Sequence, residues 1–361
     1  MSDGLFLLGM GHLAYRRALP IEPFGPLTVV WLAGFAMLIG GLLIGSLGSP
    51  QPIRWINVAV QYLFAWLILP MLLLQRSREQ LATMLKAFVW GVFAMNLLGS
   101  IVYFTYSGGF EEAQQQLGSG FLSGSRRLGA FASDANWNGA ALAMAMPSVV
   151  FLRAKKLVGN TITFLWFAVL LLGVMLSASF SAFSSCVAGL VIFVLIGGIR
   201  PSAGMLGAII AGTSLFALAL VNNLVSLPAV FLARVGNAIS NGNISEAGTY
   251  SGRMELMKEA WILIEQHMFI GMGADQYRVI SSHKAPVHNI YLLLWAEGGL
   301  MSLVGWLLMI AIVIAVPLWA YSRDRIAAAL TLSVSVTFLM ASTASPHMYA
   351  RFWSVPLILA L

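Results

Sequence analysis

Charge is scarce in this sequence. Asp, Glu, Lys and Arg make up 9% of its 361 residues and hydrophobic residues 59%, where soluble domains carry roughly 25% charged residues, so an ordinary water-soluble domain is excluded. The formal net charge of +7 does not point to a nucleic-acid partner, because in a lipid-embedded chain the placement of charge outweighs its total. Cysteine is nearly absent: Cys186 stands alone in an apolar run, which rules out an intrachain disulfide and a cysteine-based metal cluster and leaves a small buried hydrophobe. No Gly-rich phosphate loop ending in Lys-Ser/Thr is present, which argues against ATP hydrolysis. His267, His283, His288 and His347 have no compact metal-ligand spacing, and no Asp-x-Asp pair stands ready to hold a divalent ion against a diphosphate. Chemistry without metal or cofactor is expected. The apolar stretch Leu5–Met10 is too short to span and lacks a small-residue cleavage site, so no cleaved signal peptide is expected. No internal repeat of the inverted-transporter kind stands out.

What is abundant is apolar length. About 20 apolar residues cross a bilayer as a helix, and candidate spans fall at 27–47, 55–74, 81–106, 137–152, 161–180, 183–199, 203–222, 290–321 and 326–343. Phe352–Leu361 is half a span and suggests that the chain continues. The expected fold is an all-α polytopic transmembrane bundle of about 10 or more spans: N-terminal helices over 1–222, a large partly helical loop over 223–287, and C-terminal helices over 288–361. Alternating the short connections between two sides gathers Arg16, Arg17, Arg76, Arg78, Lys86, Arg153, Lys155, Lys156, Arg200, Arg323 and Arg325 on one of them, which the positive-inside rule makes cytoplasmic. The remaining basic residues concentrate in 107–136 and 223–287, which then face outside.

The shorter of these segments, Ser107–Asn136, reads as an irregular Gly/Ser/Gln-rich loop. In the longer, Ser251 reads as the N-cap of a helix Gly252–Gln266 with Met254, Met257, Trp261 and Ile264 on one face, stopped by Gly271 and Gly273. Such a helix suits a cap lying on the membrane.

Three stretches could carry chemistry. His288-Asn289-Ile290-Tyr291 lies where the long loop meets the next span. A histidine there can accept a proton from a hydroxyl; the plainer reading is that His288 and Asn289 cap the helix while Tyr291 and Trp295 form an aromatic belt. Glu297, two turns on, faces protein or water, as catalyst or as partner to an arginine. Arginine on the outer side is the second signal: Arg253 in the first turn of a helix, with Arg234, Arg278, Arg126 and Arg127, offers planar forks and backbone N–H groups suited to a diphosphate, unless each merely contacts lipid headgroups or acidic side chains. The third is Arg127-Leu128-Gly129 leading to Asp134-Ala135-Asn136, where Asp134 and Asn136 could instead cap the next helix. Arg351, beside aromatics, fits headgroup anchoring.

Taken in order, these motifs resemble the O-antigen ligase and O-antigen polymerase superfamily of bacterial envelope glycosyltransferases. Arg127-Leu128-Gly129…Asp134-Ala135-Asn136 is similar to its Arg-x-Gly…Pro-Asn pattern, with alanine for proline. Ser251-Gly252-Arg253…Gly271-x-Gly273 is similar to its Gly-Arg…Gly-x-Gly loop, with Met268 at a usual proline. His288-Asn289…Glu297-Gly298-Gly299 is similar to its His-Asn…Glu-x-Gly helix start. The turn Ser177-Ala178-Ser179-Phe180-Ser181 departs from the family, which often carries Ser-Arg there; phosphate binding at that turn is then either reduced or supplied by Arg126, Arg234 or Arg278.

The resemblance implies a membrane glycosyltransferase fold in the bacterial inner (cytoplasmic) membrane with its active site facing the periplasm. It implies an undecaprenyl-diphosphate-linked glycan as donor and inversion at the anomeric carbon, with an acceptor glycan, lipid A core or protein. His288 would then be the base, Arg253 and Arg127 would steady the leaving diphosphate with Arg126, Arg234 and Arg278, and Asn289, Glu297 and Asn136 would support them. The rival from another class is a lipid-linked glycan transporter or flippase, in which the arginines bind an anionic headgroup without bond-making and the binding charge lies near the bilayer midplane.

Overall fold

A computed structural model describes residues 2–198, 228–243, 250–346 and 348–361. The expected span 203–222, Arg200, His347 and the loop residues 223–227 and 244–249 lie outside the described residues, as do the side chains of Ser251 and Arg351. The helices are α1 (Ser2–Tyr15), α2 (Thr28–Leu47), α3 (Arg54–Leu73), α4 (Arg78–Thr105), α5 (Phe110–Gln116), α6 (Ala135–Ala154), α7 (Asn160–Ser177), α8 (Phe180–Gly197), α9 (Ala229–Ser240), α10 (Tyr250–His267), α11 (Tyr277–Ile280), α12 (Ile290–Ala320), α13 (Arg325–Ser342) and α14 (Arg351–Ala360). Among the described residues, seven helices are long and apolar enough to cross a membrane: α2 with its preceding turn, α3, α4, α7, α8, α12 and α13. The chain is an all-α polytopic membrane protein, as its apolar runs predicted.

The expected span 137–152 is the exception. It forms α6, but Asn136, Asn138 and Ser148 make it less apolar than the seven, and most of its residues are buried. Its alanines and Gly139 let neighbours approach closely, as small residues do between helices in lipid, and α6 packs on both α7 and α8.

Two compact units divide the chain. One comprises Met1–Ala87, Ser251–Ala320 and Val334–Leu361; the other comprises Phe88–Tyr250 and Tyr321–Ser333. In the first, α2 packs along α12 through small residues: a Cβ on Gly34 would stand 2.8 Å from the Gly305 carbonyl oxygen, and one on Gly41 2.6 Å from that of Gly298. Ser302 completes the seam by donating to the Leu38 carbonyl at 2.8 Å. Beside it, buried Trp31, Trp66, Trp306 and Phe338 pack edge to face or tilted, the preferred arrangements of aromatic quadrupoles. Two of the indole donors are used: Trp31 donates to Trp66 O at 2.8 Å and Trp66 to Met348 O at 3.1 Å.

In the second unit, Asn96 of α4 and Asn138 of α6, both fully buried, exchange amide hydrogen bonds of 2.9 and 3.1 Å. A short antiparallel pair, β1 (Leu122–Ser123) and β2 (Arg127–Leu128), aligns Ser123 with Arg127. It presses Phe121, Leu122 and Leu128 into an apolar cluster with Leu176.

Candidate functional site

The predicted site residues divide between the units. Arg126, Arg127, Asn136 and Arg234 belong to the second, and Arg253, Arg278, His288, Asn289 and Glu297 to the first.

In the second unit, Asp134 caps α6, its carboxylate accepting from the backbone N–H groups of Asn136 and Trp137 at 2.7 and 3.1 Å. This satisfies donors that a helix start leaves open. The Asn136 side chain is thereby free of capping duty. Its Oδ1 accepts from Arg127 Nη2 at 2.7 Å and from the Ser179 hydroxyl at 3.0 Å. Arg127 is 8% exposed, and its Nε donates to the Ser177 carbonyl at 2.9 Å. Arg234, on a π-helical turn of α9, donates through Nε to the next carbonyl, that of Ala178, at 3.3 Å.

Two guanidiniums thus converge on one turn. That turn joins α7 to α8, with Ala178 in the left-handed conformation and Ser179 as the N-cap of α8. The Ser179 and Ser181 hydroxyls lie 3.2 Å apart beside it. Burial lowers the Arg234 pKa from its ordinary value, and a guanidinium stays charged in proteins regardless. The turn that lacks its own arginine therefore receives one from α9. Arg126 is placed differently: exposed, it donates to the carbonyls of Tyr103 and Tyr106 and lies over the Tyr103 ring, 5.5 Å from its centroid.

In the first unit, α10 begins at Tyr250, so Ser251 lies inside the helix and not ahead of it. Its buried stripe also differs from the expected one. Leu256, Ala260 and Ile264 are buried, whereas Trp261 is 49% exposed. The reason is Tyr277, fully buried, whose hydroxyl donates to Leu256 O at 2.8 Å and turns that face inward. Arg253 and His288 are both half-buried.

Asn289 is the N-cap of α12: its Oδ1 accepts from the N–H groups of Tyr291 and Leu292 at 3.0 and 3.2 Å. Glu297, 6% exposed, takes backbone partners where an arginine was the expected structural one. It accepts from the N–H of Asp275 at 2.9 Å and of Tyr277 at 3.1 Å. Arg278 is bound at 2.6 Å to Asp275, which also binds Arg54 at 2.7 Å. Asp275, absent from the sequence-based candidates, is the hub of that network; its only sequence signal is its place just after Gly271-Met272-Gly273. A small cavity beside it is lined by Tyr62, Tyr349, Asp275, Glu297 and leucines.

Glu259 ties α10 to the loop that follows. It accepts from the Ser281 hydroxyl at 2.7 Å and the Ser282 N–H at 2.8 Å, and lies 3.4 Å from His283 Nδ1. Desolvation pushes its pKa up, but the hydrogen bonds from Ser282, Ser281 and His283 outweigh that and hold it at about 2. Among the described residues, no group of three or more His, Cys, Asp or Glu side chains is arranged to hold a metal ion.

Residues 164–307 match the family described as O-antigen ligase. The matched segment contains the Ser177–Ser181 turn, Arg234, Arg253, His288 and Glu297, and it bears out the resemblance read from the motifs. It supports glycan transfer of the O-antigen ligase kind in a multi-pass bacterial membrane protein. No curated protein matches the chain.

Proposed function

We propose that this O-antigen ligase-like chain moves a glycan from an undecaprenyl-diphosphate carrier to an acceptor hydroxyl, at the periplasmic face of the inner membrane, without a metal ion. The observation that carries the reading is the pair of guanidiniums, Arg127 and Arg234, on the Ser177–Ser181 turn. Planar, permanently charged forks, a serine-capped helix start and neighbouring hydroxyls suit the oxygens of a diphosphate.

In the reaction, the acceptor oxygen forms a bond to the anomeric carbon as the bond from that carbon to the diphosphate breaks on the opposite face, which inverts the centre. The hydroxyl proton passes to His288, raising the nucleophilicity of the oxygen. Undecaprenyl diphosphate departs with one more negative charge, and fixed positive charge from Arg127 and Arg234 offsets it; the motif resemblance is what gives Arg253 a part in holding the donor. Arg126 extends the positive surface of its loop. Asn136 orients Arg127 through the bond they share. Asn289 and Glu297 act through the backbone they hold. The hub at Asp275 makes Arg278 a structural partner first and a phosphate contact second.

The test is transfer by the purified protein from an undecaprenyl-diphosphate glycan to candidate acceptors, comparing wild type with His288→Ala and Arg253→Ala. Both variants are expected to lose transfer while still binding donor, and EDTA is expected to leave wild type unchanged. Full transfer by both variants overturns the assignment of the site; loss in EDTA restored by magnesium overturns the metal-free mechanism. Donor binding with no transfer to any acceptor favours the transporter reading.

A further inference from the structure

The helix α12 is not continuous. At Gly299 the backbone turns to φ 66°, ψ −170°, a combination reached by glycine alone at little cost. A break of this kind strands hydrogen-bonding groups, and inside a membrane they must be satisfied by protein. The segment after α10 does so. Met272 N–H donates to Ala296 O at 2.9 Å, Gly273 N–H to Glu297 O at 2.8 Å, and Leu300 N–H to Met268 O at 2.9 Å. The indole of Trp295 adds a bond to Met268 O at 3.1 Å. Residues 268–273 are therefore laid into the broken span and fixed at the level of residues 296–300.

What this segment presents outward is apolar. Phe269 is 71% exposed, Ile270 60% and Met268 39%; on the adjoining face of α10, Trp261 is 49% exposed and Ile262 56%. The residues just before the tip, Glu265, Gln266 and His267, are exposed and polar. The change from polar to apolar exposure between His267 and Met268 marks a boundary between water and hydrocarbon. It also agrees with α12 itself: Glu297 is the last charged residue before a long uncharged stretch, and Leu300, Met301 and Leu307 beyond it are 37%, 37% and 45% exposed on the spanning helix. With 31 residues, α12 is longer than the roughly 20 needed to cross, so its first turns stand outside the hydrocarbon and the tip meets it near Gly299. Trp261, edge to face with Trp295 at 5.7 Å, sits where indoles favour the interface.

We infer that Met268-Phe269-Ile270, with Trp261 and Ile262, inserts into the acyl chains of the bilayer and pins α10 to the membrane surface. The patch continues the lipid-facing surface of a spanning helix, which is why its occupant is lipid. This inference stands apart from the reaction proposed above.

Site-directed spin labels test it in nanodiscs of phosphatidylethanolamine and phosphatidylglycerol, in a Cys186→Ala background that removes the single cysteine. Labels at Phe269→Cys and, separately, Ile270→Cys are expected to collide with oxygen more than with a water-soluble nickel chelate, and labels at Glu255→Cys and Ser282→Cys to do the reverse. Chelate-dominated collisions at both tip positions overturn the inference. So does spin–spin broadening at the tip that disappears on dilution with unlabelled protein, because a second copy then covers the patch.

Discussion

Two sets of arginines in this molecule are held in opposite ways. In one unit, Arg127 and Arg234 are oriented by carbonyl and amide oxygens, those of Ser177, Ala178 and Asn136. In the other, Arg54 and Arg278 are oriented by a carboxylate, that of Asp275. A neutral acceptor fixes a guanidinium without cancelling its charge, whereas a carboxylate fixes it by cancelling it. The carbonyl and amide bonds at the Ser177–Ser181 turn orient a guanidinium, and the Asp275 bonds both orient and neutralise one. Arginine count alone, which first drew attention to these loops, does not distinguish the two.

The comparison breaks most severely at Arg127. Arg127→Ala is expected to lower transfer by about 10²- to 10³-fold, the cost of removing one oriented donor from a developing anion, as measured with the purified protein and lipid-linked donor. Arg127→Lys is expected to recover little, because a lysine cannot reproduce the fork that spans Ser177 O and Asn136; wild-type rates in the lysine variant would reduce Arg127 to a point charge. Next comes Arg234→Ala, for which a loss of about 10- to 100-fold follows from a charge-assisted hydrogen bond worth roughly 1.5–3 kcal/mol. Placing the arginine on the turn itself, as Arg234→Ala with Ala178→Arg, is expected to restore part of the rate. No recovery in a folded double variant would argue that Arg234 serves α9 and not the anion.

Asp275→Asn sharpens the contrast from the other side. It should lower thermal stability in detergent, by about 1–3 kcal/mol for a partly buried charged pair, while transfer per folded molecule is largely kept; a selective loss of transfer would make Asp275 part of the chemistry. The smallest effect is one of pH. The Glu259 pKa is held at about 2, below its ordinary 4.5, so its bonds stabilise the loop fully above about pH 4.5, and that contribution is lost as pH falls toward 2. Corrected hydrogen exchange at the Ser282 amide is expected to speed up at pH 3 relative to pH 5, and Glu259→Gln to remove the difference. Equal protection at both pH values would sink the idea.

Seven of the expected spans were legible because length and apolarity leave few alternatives in lipid, and the Asp134 cap because a cap is a local event within three residues. The arginine that serves the Ser177–Ser181 turn could be narrowed only to three candidates. The contact joins positions 56 residues apart, and sequence carries no distance information at that range. The broken helix was hidden for a different reason: Gly298-Gly299 lies in an otherwise continuous apolar run, and only the chain laid against it shows that the run is interrupted. Glu297 illustrates the same limit. Its cost in lipid was plain, but backbone amides answered it, and amides have no sequence signature. The stripe expected on α10 was Met254, Met257, Trp261 and Ile264, of which Ile264 is buried and Trp261 exposed, because a regular apolar period does not say which of two apolar faces a buried tyrosine will claim.

The paired amides of Asn96 and Asn138 have a consequence for how this chain can vary. Asn138 also donates to Leu128 O at 3.2 Å, one residue from Arg127, so the pair indexes the hairpin that carries the guanidinium. Changing either asparagine alone strands a buried amide, at about 1–3 kcal/mol; changing both to apolar residues removes the need for a partner. Among relatives, positions 96 and 138 should therefore drift together or not at all, and a lineage that lost the pair would need another way to keep the arginine in register.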